Sequence, residues 1–434
     1  MPPRLSRLLP KGRFARRLAA LSGATLIAQG LVVASSPVLT RLYSPTEFGV
    51  FTVFQAFIGI AGPIMALRFE FAIPVSRGRR AADGVMGIAF ATIAAMSILF
   101  GLALWLGGTS LLRLGASEAL VPYVWLLWLG LTLFGLTLPL IYRTIRDAQF
   151  RRNGLSLIGQ FGGQTILHLG LGLAGAGALG LIVGYLTGYL IRFAWLATLF
   201  SKAGWRRLGV QRLRFLRLLA RRHWRYPAFS SFSTLLQGFS QFLPAVFLAA
   251  FFGPAAAGWF GLGQRLLTVP VRILGQATSH AFLAEAKGLD RADLYRLFVR
   301  TTTRFFLLGL LGGLPLILFS PPLFAFLFGE AWRTAGVMVQ VLVPLHLMRF
   351  TLVPVSQVLN VLDRQGLDLL ISFGITIALL GSFASSGLLG LSIITTVAVY
   401  AGASCLAYAL GLGLVWYTSR AKANEQAAGA SSGR

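Results

Sequence analysis

The sequence predicts an all-α integral membrane protein with about twelve transmembrane helices in two six-helix lobes. Composition is the first reason. Of 434 residues, 56% are hydrophobic and only 12% are charged, and the mean hydropathy is +0.75. A soluble domain carries about 25% charged residues. Charge placement is the second reason. Lys and Arg gather at Arg4–Arg17, Arg77–Arg80, Arg143–Arg152, Lys202–Arg225, Lys287–Arg300 and Arg420–Lys422. The alternate loops hold little beyond Arg41, Arg113 and Arg333. This is the asymmetry of cytoplasmic against outer loops. It accounts for the net charge of +27 and pI of about 11.7 without a nucleic-acid partner.

Internal repetition is the third reason. RLYSPTEFGVF (Arg41–Phe51) and FFGPAAAGWF (Phe251–Phe260) share their punctuation. With Pro45 on Pro254, Gly49 falls on Gly258, Phe51 on Phe260 and Gln55 on Gln264. Ser22, Thr25 and Gln29 precede Gly30 just as Ser230, Ser233 and Gln237 precede Gly238. A fainter echo sets Pro139 and Gly154-Leu155 against Pro354 and Gly366-Leu367. Two halves in the same orientation are a transporter pattern, with the site between them.

Spans are expected at about 18–40, 47–67, 84–107, 118–142, 154–173, 178–200, 228–252, 256–282, 303–328, 335–360, 367–384 and 388–416, on apolar length. The first is read as a retained span, because it exceeds the ~7–15 residues of a signal-peptide core. Basic loops follow spans 2, 4, 6 and 8, which puts both termini and the loop after span 10 on the cytoplasmic side as well. In span 6, Gly180, Gly184 and Gly188 form a row that admits a close neighbouring helix. The resulting division is an N-terminal lobe (1–200), a basic amphipathic linker (201–227), a C-terminal lobe (228–417) and a disordered tail (418–434). The linker alternates Leu213, Leu216 and Leu219 with arginines and ends at Trp224 and Tyr226. That pattern suits a helix at the headgroup level, with a solvated linker as the alternative.

Charged groups inside a bilayer cost about 2.5–3.5 kcal/mol each on insertion scales, so each calls for a role. In span 8, Arg265, Arg272, Gln276 and His280 are spaced by seven, four and four, and Thr268 joins them. On a continuous helix they share one face, which is expected to line a wet cavity. Gln29 lies on a polar face of span 1, and Gln237 on one of span 7. Gln264 precedes Arg265, and span 10 carries His346 and Arg349 with Ser356 and Asn360. Arg68 and Glu70 close span 2. Two residues apart on a helix, they point to different sides and need separate partners. Glu70, His280 and His346 are candidates for ion coupling, with a structural salt bridge as the alternative for Glu70. His168 reads as a packing residue. The single cysteine, Cys405, excludes a disulfide framework, and the four His lack ligand spacing, so no metal site is expected. Neither a phosphate-binding loop nor a catalytic triad is present, and the glycines of GLGLAGAGALG follow no strand.

RLYSPTEFGVFTVFQ, LRFEFAIP, the block from Arg225 to Ala286 and NVLDRQGLDLLIS resemble the Wzx-type polysaccharide flippases of the multidrug/oligosaccharidyl-lipid/polysaccharide (MOP) superfamily. The resemblance covers nearly the whole chain. It implies a MATE-like parallel repeat in the bacterial cytoplasmic (inner) membrane. It implies export of an undecaprenyl-pyrophosphate-linked oligosaccharide by alternating access through a cationic central cavity. Carried over by residue, the resemblance rests on Arg68, Glu70, Arg265 and Arg272, with Gln264–Arg265 matching the family's pair. His280 departs from the amide expected there. No cofactor is implied beyond a coupling proton or Na+. Other polysaccharide-assembly membrane proteins are the implied partners. Arginine suits a pyrophosphate through its planar fork, and amides and hydroxyls suit sugars. Three alternatives are a cation-coupled drug exporter, a lipid II-type flippase, and a membrane polymerase or ligase. The drug exporter would want buried acids. An enzyme would want longer outer loops than the one between Leu42 and Phe48.

Overall fold

In lipid the backbone must satisfy its own hydrogen bonds, so apolar stretches between Pro, Gly and basic turns fold as helices. The computed structural model describes residues 13–115, 118–200, 204–205, 213–275, 278–279, 282, 285–286, 289–356, 358–359, 362 and 364–432. Among them are fourteen α-helices and no strand. They are α1 (Arg13–Leu42), α2 (Pro45–Ala61), α3 (Ala72–Val75), α4 (Arg79–Gly115), α5 (Val124–Arg146), α6 (Phe150–Leu173), α7 (Gly177–Ala197) and α8 (Leu213–Arg222). There follow α9 (Ser231–Phe252), α10 (Pro254–Pro270), α11 (Arg291–Phe328), α12 (Arg333–Val355), α13 (Gln365–Leu389) and α14 (Ile393–Ser432).

Every expected span holds a helix, and ten described segments are long and apolar enough to cross a membrane. The chain is a multi-pass membrane protein. The other two expected spans fall on α6 and α10. Asn153, Gln160, Gln164 and His168 lower the hydropathy of α6, and α10 stops at Pro270 after 17 residues. The repeated punctuation is built as two helix starts. Ser44 caps α2 by accepting from the Glu47 N–H while Glu47 accepts from the Ser44 N–H, and Pro45 takes the first helical position. In the later copy Gly253, at φ +84°, ends α9, and Pro254 begins α10.

Compactness divides the chain into residues 1–257 and 258–434, one helix later than the linker. In the first unit α6 packs between α1 and α7, and α5 packs on α2, α4 and α7. The glycine row of α7 works as expected. A Cβ at Gly180, Gly184 or Gly188 would collide with the Tyr43 hydroxyl, the His168 ring or the Gln160 carbonyl. Helix α9 packs on α2, where Gly238 abuts the Ile60 backbone and Phe242 covers Gly59. The linker helix α8 is also docked, with Leu219 in a core of Ile73, Val85, Met86 and Leu140. In the second unit α12 packs on α11 and α14, and α14 packs on α13. Its core includes Phe282, Phe298, Leu352, Val355 and Val415.

Two expectations change. Span 8 is not one regular helix. Pro270 lacks an N–H and its ring opposes the preceding turn, and Val271–Gly275 is π-helical. Residues 265 and 272 therefore leave simple 3.6-residue register: Arg265 is half-buried and Arg272 exposed. Helix α14 runs through Ser432. The span 2 helix yields to a 3-10 turn at Gly62–Ile64, and Leu67 and Arg68 turn left-handed at φ +44° and +60°.

Candidate functional site

That left-handed turn overturns the expectation that Arg68 and Glu70 need separate partners. On a helix their side chains would diverge. With Arg68 at positive φ the chain doubles back, and Arg68 Nη1 donates to Glu70 Oε1 at 3.3 Å. The glutamate side chain is fully buried and its Oε2 has no partner. The guanidinium stacks 4.0 Å from the Phe71 ring centroid. Burial pushes the Glu70 carboxyl up to about 7, while the Arg68 charge pulls the other way without prevailing. Non-glycine residues in this conformation cost of order 1–3 kcal/mol each, so the surrounding packing must hold them there.

Next to this turn stands an ion-pair cluster that the sequence reading placed only in a basic loop. Arg143 bonds Asp83 at 2.5 Å and Asp147 at 2.9 Å. Arg146 donates to the Ile73, Ser76 and Gly78 carbonyls at 3.0, 2.6 and 3.0 Å. Two arginines thus tie the end of α5 to α4 and to the segment after Glu70.

A second polar centre lies between α6 and α7. Asn153, Gln160, Gln164 and His168 are all buried. Their steps of seven, four and four keep them on one helical face. Arg192 of α7 donates to Gln160 Oε1 at 3.0 Å and Asn153 Oδ1 at 3.1 Å. Arg192 Nε and Gln164 Oε1 are buried without partners. Among the described residues no carboxylate bonds Arg192, and no Asp or Glu occurs between Asp147 and Glu285. His168 is satisfied as expected: its Nε2 meets the Leu181 carbonyl at 2.8 Å, and Phe51 packs edge-on. Sequence reasoning missed Arg192 and its amides. The available signal was their spacing, identical to that of Arg265, Arg272, Gln276 and His280.

The other predicted residues are placed as follows. Gln29 is buried on α1, and Gln237 is exposed on α9. In the second unit Gln264 is half-buried with its Oε1 enclosed and unpartnered. His346 is buried, and neither ring nitrogen has a partner. Arg349, one turn on, is half-buried. Gln276, His280 and Asn360 lie outside the described residues. Among the described residues no His, Cys, Asp and Glu cluster could hold a metal. The structure pairs Arg68 with Glu70 and sets His346 beside Arg349 on α12.

A family model described as polysaccharide biosynthesis protein matches residues 38–337, more than half of the chain. The chain belongs to this polysaccharide biosynthesis family. No curated protein matches it. Among solved structures, this family member is similar to an inward-facing MATE multidrug-resistance transporter of the MOP superfamily. That match has 15% identity and a TM-score of 0.68, over 95% of this chain and 99% of the other. The lipid II flippase MurJ in an inward closed conformation matches at 12% identity and TM-score 0.68, over 92% and 87%. A Pyrococcus furiosus MOP transporter, whose binding pocket is described as of reverse polarity, matches at 15% and 0.63, over 95% and 97%. The fold of this family member is therefore the one seen in these MOP-superfamily structures.

Proposed function

We propose that the protein flips an undecaprenyl-pyrophosphate-linked oligosaccharide across the bacterial cytoplasmic membrane for surface polysaccharide assembly. The carrying observation is the chemistry of the intramembrane charge. Arg192 is dressed by amide oxygens rather than by a carboxylate. Leaving a cation in a helix bundle without a counter-ion costs several kcal/mol. A diphosphate supplies the missing charge, and the amides that hold the guanidinium also suit sugar hydroxyls. In the second unit Arg265 and Arg272 follow Gln264 and are further candidates for binding an anionic group. The polyprenyl tail has no need of a polar path and remains in lipid.

Export of cationic drugs fits less well. Such a site wants unneutralised buried acids, whereas Glu70 pairs with Arg68 and Asp83 with Arg143. Movement is by alternating access between lobes, coupled to a proton or Na+ at Glu70, His280 or His346. The test is deletion of the gene in its native host, followed by analysis of lipid-linked intermediates. Accumulation of complete oligosaccharide on the inner leaflet is expected. Failure to make the oligosaccharide at all would point to an enzyme and reject the reading.

A further inference from the structure

The linker helix α8 uses its apolar side on the protein and leaves its basic side outward. Phe215, Leu216 and Leu219 meet α4 at Gly84, where a Cβ would collide with Leu219. At 100° per residue, Arg214, Arg217 and Arg221 fall at the centre of the opposite face, with Leu213 and Leu218 on its two flanks. All five are exposed, as are Arg222, Trp224 and Arg225. The contact with Gly84 fixes the depth. Gly84 lies near the start of the candidate span 79–107, so α8 sits where that span leaves the membrane. Neighbouring charges do not neutralise it. Arg77, Arg79 and Arg80 are exposed at the same end of α4, and the acids there, Asp83 and Asp147, are both bonded to Arg143.

We propose that the outward face of α8 is a binding site for the phosphodiester headgroups of anionic phospholipids. Arginine grips phosphate oxygens with paired, directed bonds. Leu213, Leu218 and Trp224 enter the interfacial layer beside them, where an indole is favoured. A soluble acidic protein would match the charge but would leave these apolar side chains in water. The substrate diphosphate is not required, so this site stands whether or not the flippase reading holds.

The test uses the full-length protein purified in neutral detergent. Thermal stability is titrated with phosphatidylglycerol, phosphatidylcholine, inorganic phosphate or poly-glutamate. Phosphatidylglycerol should stabilise the wild type, and the other three should not. R214Q/R217Q/R221Q should lose roughly a hundredfold in apparent affinity for phosphatidylglycerol. R296Q/R300Q/R304Q removes the same charge from α11 and should behave as wild type. Equal stabilisation by inorganic phosphate would mean a free-anion site, and equal stabilisation by poly-glutamate a protein-docking site. Either result, or an unchanged response in the α8 variant, overturns the proposal. A second readout does not depend on that variant folding. Brominated phosphatidylglycerol should quench tryptophan emission more than brominated phosphatidylcholine, and the difference should shrink in W224F. Equal quenching by the two lipids counts against the site.

Discussion

Replacing Glu70 with Gln separates the buried carboxyl from the turn that holds it. The side chain is fully buried, with Arg68 on one oxygen and nothing on the other. Its carboxyl is pushed from 4.5 to about 7. A folded value above the unfolded one means that the fold prefers the protonated form. The stabilising contribution is therefore complete below pH 4.5 and is lost as pH rises through about 7. That interval, at about 1.36 kcal/mol per pH unit, comes to about 3 kcal/mol. The Gln variant keeps the shape, carries no ionisable proton, and should not follow this course. Melting of both proteins, read by tryptophan fluorescence in neutral detergent from pH 5 to pH 8.5, isolates the residue because all other titrations are shared. The variant should gain on the wild type by roughly 5 °C across the range. Parallel melting profiles would refute the reasoning, since Glu70 would then titrate alike in the folded and unfolded chain.

Arg192→Lys keeps the charge but cannot bridge Asn153 and Gln160, whereas Arg192→Gln removes the charge. If charge serves the substrate, Lys should retain more export than Gln at matched abundance, measured as surface polysaccharide per transporter. Gly184→Val drives a branched side chain into His168 and should destabilise the protein by about 1–3 kcal/mol, seen as a lowered melting temperature. Topology is checked in intact cells after Cys405→Ser. Cysteines at exposed Thr46 and half-buried Ala255 should react with an impermeant maleimide, and one at exposed Gly78 should not.

Apolar length, the alternation of basic loops and the repeated Pro–Gly punctuation determined the helical membrane fold and the place of each span. Those signals are local: a span must be apolar over its own length, and Pro45 and Pro254 each mark a helix start by their own backbone. The glycine row of α7 was legible for the same reason, because missing side chains are a property of the sequence. Only the tertiary structure decided the rest. Arg68 reaches Glu70 because the chain turns left-handed at residues whose side chains do not ask for it, so packing and not propensity set that geometry. Pro270 was visible, but the π-helical turn after it, which separates the environments of Arg265 and Arg272, depends on how the chain recovers its hydrogen bonds. Arg192 lies near the end of an apolar run, and nothing in its own sequence neighbourhood sets it apart. Its importance comes from Asn153 and Gln160 on another helix, brought opposite by α6–α7 packing. The basic face of α8 likewise points outward because Gly84, in a different helix, accepts Leu219. Which group meets which is a long-range property, fixed by the contacts that the bundle buries.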